Sequence, residues 1–82
     1  MLNNVEGVLT LAGYRMKPPY VVIIVTGGVE RLESAHNMWE FAAKSYNVAY
    51  ARGSTVKLYG KSDKGVYVLL NDSTETPNTP QN

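Results

Sequence analysis

Residues 20–28 read YVVIIVTGG, with five consecutive aliphatic side chains. β-Branched residues at nearly every position favour an extended backbone, so residues 20–26 are predicted as a strand. A strand that is apolar throughout is buried on both faces. Val21, Ile23 and Val25 point one way, Tyr20, Val22 and Ile24 the other, and each face needs a cover.

Beyond the glycines, Leu32, Ala35, Trp39, Ala42, Ala43 and Tyr46 recur at three- and four-residue spacing, the mark of one helical stripe. Glu30 and Glu33 fall near the positive end of that helix and Lys44 near its negative end. Glu40 and Lys44 add an i,i+4 pair. Gly27-Gly28 also suits a type I′ hairpin, which would make VERLES a strand, but the stripe favours the helix. Ser34 is the N-cap of a shorter alternative, and Asn47 marks the end.

Residues 5–16 mix apolar side chains with Thr10 and Gly13 and run into Lys17-Pro18-Pro19. Two prolines cannot continue a helix or donate to a central ladder, so a first strand is predicted over 6–15. After the helix, residues 48–51 form a short extra strand, and Arg52-Gly53-Ser54 a turn. TVKLYG and VYVLLN then alternate as two strands around KSDKG, with Gly65 in the left-handed position of a hairpin loop. Val56 and Leu58 face one side, Lys57 and Tyr59 the other. Val66, Val68 and Leu70 likewise oppose Tyr67 and Leu69. Residues 72–82, DSTETPNTPQN, hold no large apolar side chain and read as a flexible tail.

The expected architecture is α+β: a small antiparallel sheet in the order β-β-α-β-β, with the optional short strand, and one amphipathic helix packed on one face. Residues 1–71 form the single domain and 72–82 the tail. A lone helix shields one face only. The side bearing Tyr20, Val22 and Ile24 is therefore assigned to a dimer or partner contact, because an apolar patch of a few hundred Å² usually marks one.

Composition narrows the chemistry. Eighty-two residues suit one domain. There is no cysteine, hence no disulfide, thiolate metal site or thiol nucleophile, and stability must come from packing or association. No apolar run approaches the roughly 20 residues that span a bilayer, and residues 1–8 lack a secretory layout, so a cytoplasmic protein is expected. The net charge of +1 divides into a basic stretch, residues 44–64, and an acidic helix.

His36 is the only histidine. On a helix it would share a face with Glu33 and Glu40, a sparse basis for a metal or acid–base site, and a solvated histidine is the better reading. The turn after VVIIVT is followed by neither G-x-G-x-x-G nor G-K-[ST], so no phosphate loop is built. No serine has a triad. An enzyme is not expected, and no cofactor or metal is assigned.

Tyr50, Arg52, Lys57, Tyr59, Lys61, Lys64 and Tyr67 adjoin one another along two segments. Tyrosines stack on unpaired bases and cations hold phosphates, so these residues mark a partner surface for protein or single-stranded nucleic acid. Met38 and Phe41 flank Trp39 as adaptable contact residues, with Trp39 itself in the core. The leading expectation is a small non-enzymatic protein-binding protein, homodimeric through its open sheet face. Its size and lack of catalytic motifs suit an inhibitor of the accessory type made by bacteriophages and mobile elements, acting by occlusion of a host machine. A nucleic-acid-binding regulator and a structural subunit of a larger assembly are the alternatives.

Overall fold

The structure, a computed structural model, describes residues 5–74. Its elements run α1 (Val5–Leu11), β1 (Tyr20–Thr26), β2 (Val29–His36), α2 (Trp39–Ala51), β3 (Thr55–Lys61) and β4 (Tyr67–Asp72). The strands form one antiparallel sheet in the order β2-β1-β3-β4. The α+β class and the amphipathic helix on the sheet are as expected, and a second helix is added. No helix among the described residues is long and apolar enough to cross a membrane.

The first predicted strand is a helix. Val5, Val8 and Leu9 fall at i, i+3 and i+4 and are all buried, while Leu11 is 88% exposed. The helix ends in a Schellman motif. Tyr14 N–H donates to Leu9 O (2.9 Å) and Gly13 N–H to Thr10 O (3.0 Å), with Gly13 at φ 90°, where a Cβ would be disfavoured. Lys17-Pro18-Pro19 is then the connection into β1.

Gly27 and Gly28 close a hairpin rather than start a helix. Their φ values of 58° and 80° are those of a type I′ turn, whose twist matches the flanking strands. VERLES is thus part of β2, Ser34 is a strand residue, and α2 begins only at Trp39. Its last turn takes up residues 48–51, predicted as a strand, and ends at Arg52-Gly53-Ser54. Ser54 N–H bonds Ala49 O at 3.1 Å and Gly53 N–H bonds Tyr50 O at 3.0 Å, again the Schellman pattern. β3, the loop with Gly65 at φ 80° and β4 follow as predicted.

Both faces of β1 are covered by the chain itself. On one, α1 packs Val5, Val8 and Leu9 against Val21, Ile23, Tyr59 and Tyr67, with Leu32 and Ala35 at the margin. On the other, α2 packs Ala42, Tyr46 and Ala49 against Val22, Val56 and Leu58, flanked by Tyr20 and Ile24. The face assigned to a second chain is therefore closed: Val22 has no exposed surface and Tyr20 and Ile24 are half-buried beneath α2. Of the predicted tail, residues from 75 on lie outside the described residues. Residue 73 still belongs to the sheet margin, since Ser73 N–H donates to Val56 O and Val56 N–H to Ser73 Oγ, each at 2.9 Å.

Candidate interaction surface

The seven residues assigned to a partner surface are dispersed by the fold, Lys64 standing exposed in the loop between β3 and β4. Tyr59 and Tyr67 share a face with Lys57, as the alternation predicts, but both rings are buried under α1. The Tyr67 hydroxyl donates to Pro18 O at 2.6 Å, and burial raises the pKa of both phenols. Lys57 Nζ lies 3.2 Å from Glu30 Oε2, and that bond raises the lysine pKa. Lys61 Nζ donates to Lys17 O at 2.7 Å, and Arg52 reaches Glu33 at 3.5 Å. Tyr50 is exposed but lies parallel to Tyr46, centroids 6.2 Å apart. Rings sealed in a core cannot stack on bases, so Tyr59 and Tyr67 do not form an aromatic platform with these cations.

His36 sits on β2, not on a helix. Its Nε2 is 2.9 Å from Ser34 Oγ, which lies 2.6 Å from Ser45 Oγ on α2. Glu33 instead pairs with Arg52. The three polar groups form a seam between β2 and α2, and His36 and Ser45 line an open cleft of about 380 Å³ together with Phe41 and Val48. Among the described residues no carboxylate bonds the other ring nitrogen, and no group of three His, Asp or Glu side chains converges as metal ligands. Ser34 Oγ thereby links His36 on its own strand to Ser45 on α2.

The surface that stands out is at the β4 edge. α2 packs on β3, β1 and β2, and the outer strand extends past it. Val66, Val68, Leu69 and Leu70 are between 42 and 55% exposed. Val68 pairs with Gly60 and Leu69 with Tyr59, which puts Val68 on the α2 side of the edge and Leu69 on the α1 side. Gly60 joins β4 to the centre: a Cβ there would lie 2.7 Å from Leu70 Cδ1 and 3.6 Å from the Tyr20 ring. Tyr20 in turn meets Trp39 edge to face, with centroids 5.7 Å apart. Trp39 (46% exposed) and Met38 (52%) complete the strip.

Trp39 is thus not a core residue, and Met38 and Phe41 are exposed beside it. The strip combines Tyr20, assigned beforehand to a contact face, with edge residues that sequence reasoning passed over. The signal was present in VYVLLN, which carries no charge on either face. With about half of each large side chain exposed, the strip offers roughly 500 Å² of apolar surface, within the range of the largest, often functional, patches on monomers. Comparison of the chain with protein-family models, curated proteins and solved structures gives no match.

Proposed function

We propose that the chain is a non-enzymatic protein-binding module whose contact surface is the strip from the β4 edge to Trp39. The observation that carries this reading is the continuous run of half-exposed apolar side chains Val68, Leu70, Tyr20 and Trp39, bridged across Gly60. Water is in contact with groups whose burial is worth about 25 cal/mol per Å², and a partner surface removes that contact. Occlusion of a larger protein by a mobile-element inhibitor is one form such binding takes, supported by the chain's size and composition.

Leu70→Lys tests the proposal. Leu70 is 45% exposed, so the substitution forfeits burial of about 80 Å², or about 2 kcal/mol, and association weakens about 30-fold. Sedimentation of the purified chain and affinity capture from lysate, each compared with Arg31→Glu on the opposite edge, read the effect. Association that both substitutions impair equally, or that Leu70→Lys leaves intact, refutes the assignment.

A further inference from the structure

We infer that the chain carries a small-molecule site between the end of α1 and the start of β1, an open cavity of about 720 Å³ that takes an organic anion with a planar apolar body. The inference is independent of the protein-binding reading, because no residue lining the cavity belongs to the strip.

The segment 12–19 makes most of the wall, and Ala35 and Asn37 close it from the β2 side. The volume falls within the roughly 300–1,000 Å³ of ligand pockets, which are largely apolar with a few placed polar groups.

This segment differs from an ordinary loop in being fastened. Three successive carbonyls each receive a donor from β3 or β4: Lys17 O from Lys61 Nζ at 2.7 Å, Pro18 O from the Tyr67 hydroxyl at 2.6 Å, and Pro19 O from Lys61 N–H at 2.7 Å. Lys17 Nζ reaches Glu6 on α1 at 3.1 Å. The other end of the segment starts in the Schellman turn at Gly13 and Tyr14. Proline rings fix φ at two of the positions, so a ligand meets a wall with little backbone freedom left to lose. Lys61 and Tyr67, expected from the sequence to touch a partner directly, thus act as positioning residues that hold this wall.

Charge selects the ligand. Arg15 and Lys17 line the cavity, and no carboxylate does. Lys17 is paired with Glu6, whereas Arg15 lies within ion-pair distance of no carboxylate among the described residues. A guanidinium holds a carboxylate or phosphate by two parallel hydrogen bonds, and Asn37 adds an amide donor and acceptor. Beside these polar groups are Tyr14, 43% exposed, Met16, 79% exposed, and the rings of Pro18 and Pro19. Rigid rings give contact area at small cost in side-chain freedom. A flat apolar body covers them while its anion meets Arg15; a neutral ligand leaves the guanidinium unmatched, and a cation is repelled.

Naphthoate, a planar carboxylate, is the probe, and naphthamide is its neutral counterpart of the same shape. NMR titration of the unmodified chain should show naphthoate saturating one site, with shifts centred on Tyr14, Arg15, Met16, Ala35 and Asn37. Naphthamide should bind at least about fivefold more weakly, and Arg15→Glu should weaken naphthoate at least about tenfold, as expected when a hydrogen-bonded charge partner is removed. Arg15 is exposed, so the change leaves the core intact. Lys64→Glu alters the net charge equally from an exposed loop and should change naphthoate affinity less than about twofold. Tyr67→Phe keeps the buried ring but releases Pro18 O, and should weaken naphthoate about threefold by loosening the wall, with the fold checked by circular dichroism. No saturable binding at millimolar naphthoate, equal binding of naphthamide, equal losses from Arg15→Glu and Lys64→Glu, or shifts centred on Trp39 and Val68 would each overturn the site. Binding that needs Arg15 but is unmoved by Tyr67→Phe overturns the positioning role alone.

Discussion

Leu9→Ala tests whether the N-terminal helix seals the sheet. Leu9 is 2% exposed and packs with Val21, Ile23, Tyr59 and Tyr67, so truncation leaves a cavity among side chains that the sheet holds in place. Leucine-to-alanine changes at such sites cost about 2–5 kcal/mol; about 3 kcal/mol is expected here, because one side of the site is a short helix able to settle inwards. For a domain of this length the whole folding free energy is on the order of 4–12 kcal/mol, so the loss is a large share of it. Leu11→Ala is the matched control, since Leu11 is 88% exposed and its truncation should stay within about 0.5 kcal/mol. In urea denaturation followed by circular dichroism, with a slope of about 1 kcal/mol per M, the Leu9 variant should melt about 3 M earlier and the control almost unchanged. A strand over these residues would place Leu9 and Leu11 on one face, and the two substitutions would then cost alike. Equal midpoints would refute the helix and reopen the second face of the sheet.

Two further outcomes follow from the core and the turn. Burial raises the pKa of Tyr46, Tyr59 and Tyr67, with Asp72 and Tyr50 adding to the effect at Tyr46, Lys57 opposing it at Tyr59 and Glu6 adding at Tyr67. The neutral phenols are favoured in the folded state. Their stabilisation is therefore whole below the ordinary tyrosine pKa of about 10 and is lost as pH rises through the higher folded-state values. Absorbance at 295 nm should show part of the tyrosine ionisation arriving together with alkaline unfolding, and full ionisation with the fold intact would refute it. Gly28→Ala forces a side chain to φ 80° and should cost about 1–2 kcal/mol in a thermal melt; an unchanged midpoint would refute the type I′ turn.

The readable parts of the chain were those whose period is uninterrupted. β1 is β-branched from Val21 to Thr26, β3 alternates from Thr55 to Leu58, and Ala42 and Tyr46 do lie on the buried side of α2. The helix predicted too early has a specific cause. The β2 irregularity opposite Val22 and Ile23 pairs them with Ser34 and Leu32, leaving Glu33 as the extra residue. That insertion lets Leu32 and Ala35, three apart, pack against the same cluster, so a bulged strand reproduces helical spacing. α1 was hidden in the opposite way. Exposed Leu11, two residues after buried Leu9, imitates strand alternation, and Gly7 and Thr10 lower the helical propensity. Of the partner residues, Tyr59 and Tyr67 were legible as members of one face, but whether that face meets water or a helix depends on residues 5–11, far away in sequence.

Closing one sheet face with α1 and the other with α2 changes what a partner has to supply. An open sheet face is a flat apolar surface that a helix, a loop or another sheet can shield, so it says little about the partner's backbone. An edge strand adds backbone groups to its side chains, and an extended segment is one occupant that meets both. The two helices differ in length, about 10 Å for α1 and about 20 Å for α2 by the rise per residue, and neither is placed to reach around β4. The apolar surface left over by this division lies along the outer strand, at Val68, Leu69 and Leu70. If an extended segment pairs with this edge, a charge and a proline at Leu69 act differently: the charge opposes burial of the side chain, whereas the proline removes the backbone N–H and leaves an apolar ring in place. Leu69→Pro abolishing association as fully as Leu69→Lys, with β4 still folded by amide exchange at residues 66 and 68, is the result expected of strand pairing. Association that survives the proline but not the lysine would instead belong to a side-chain contact without a shared ladder.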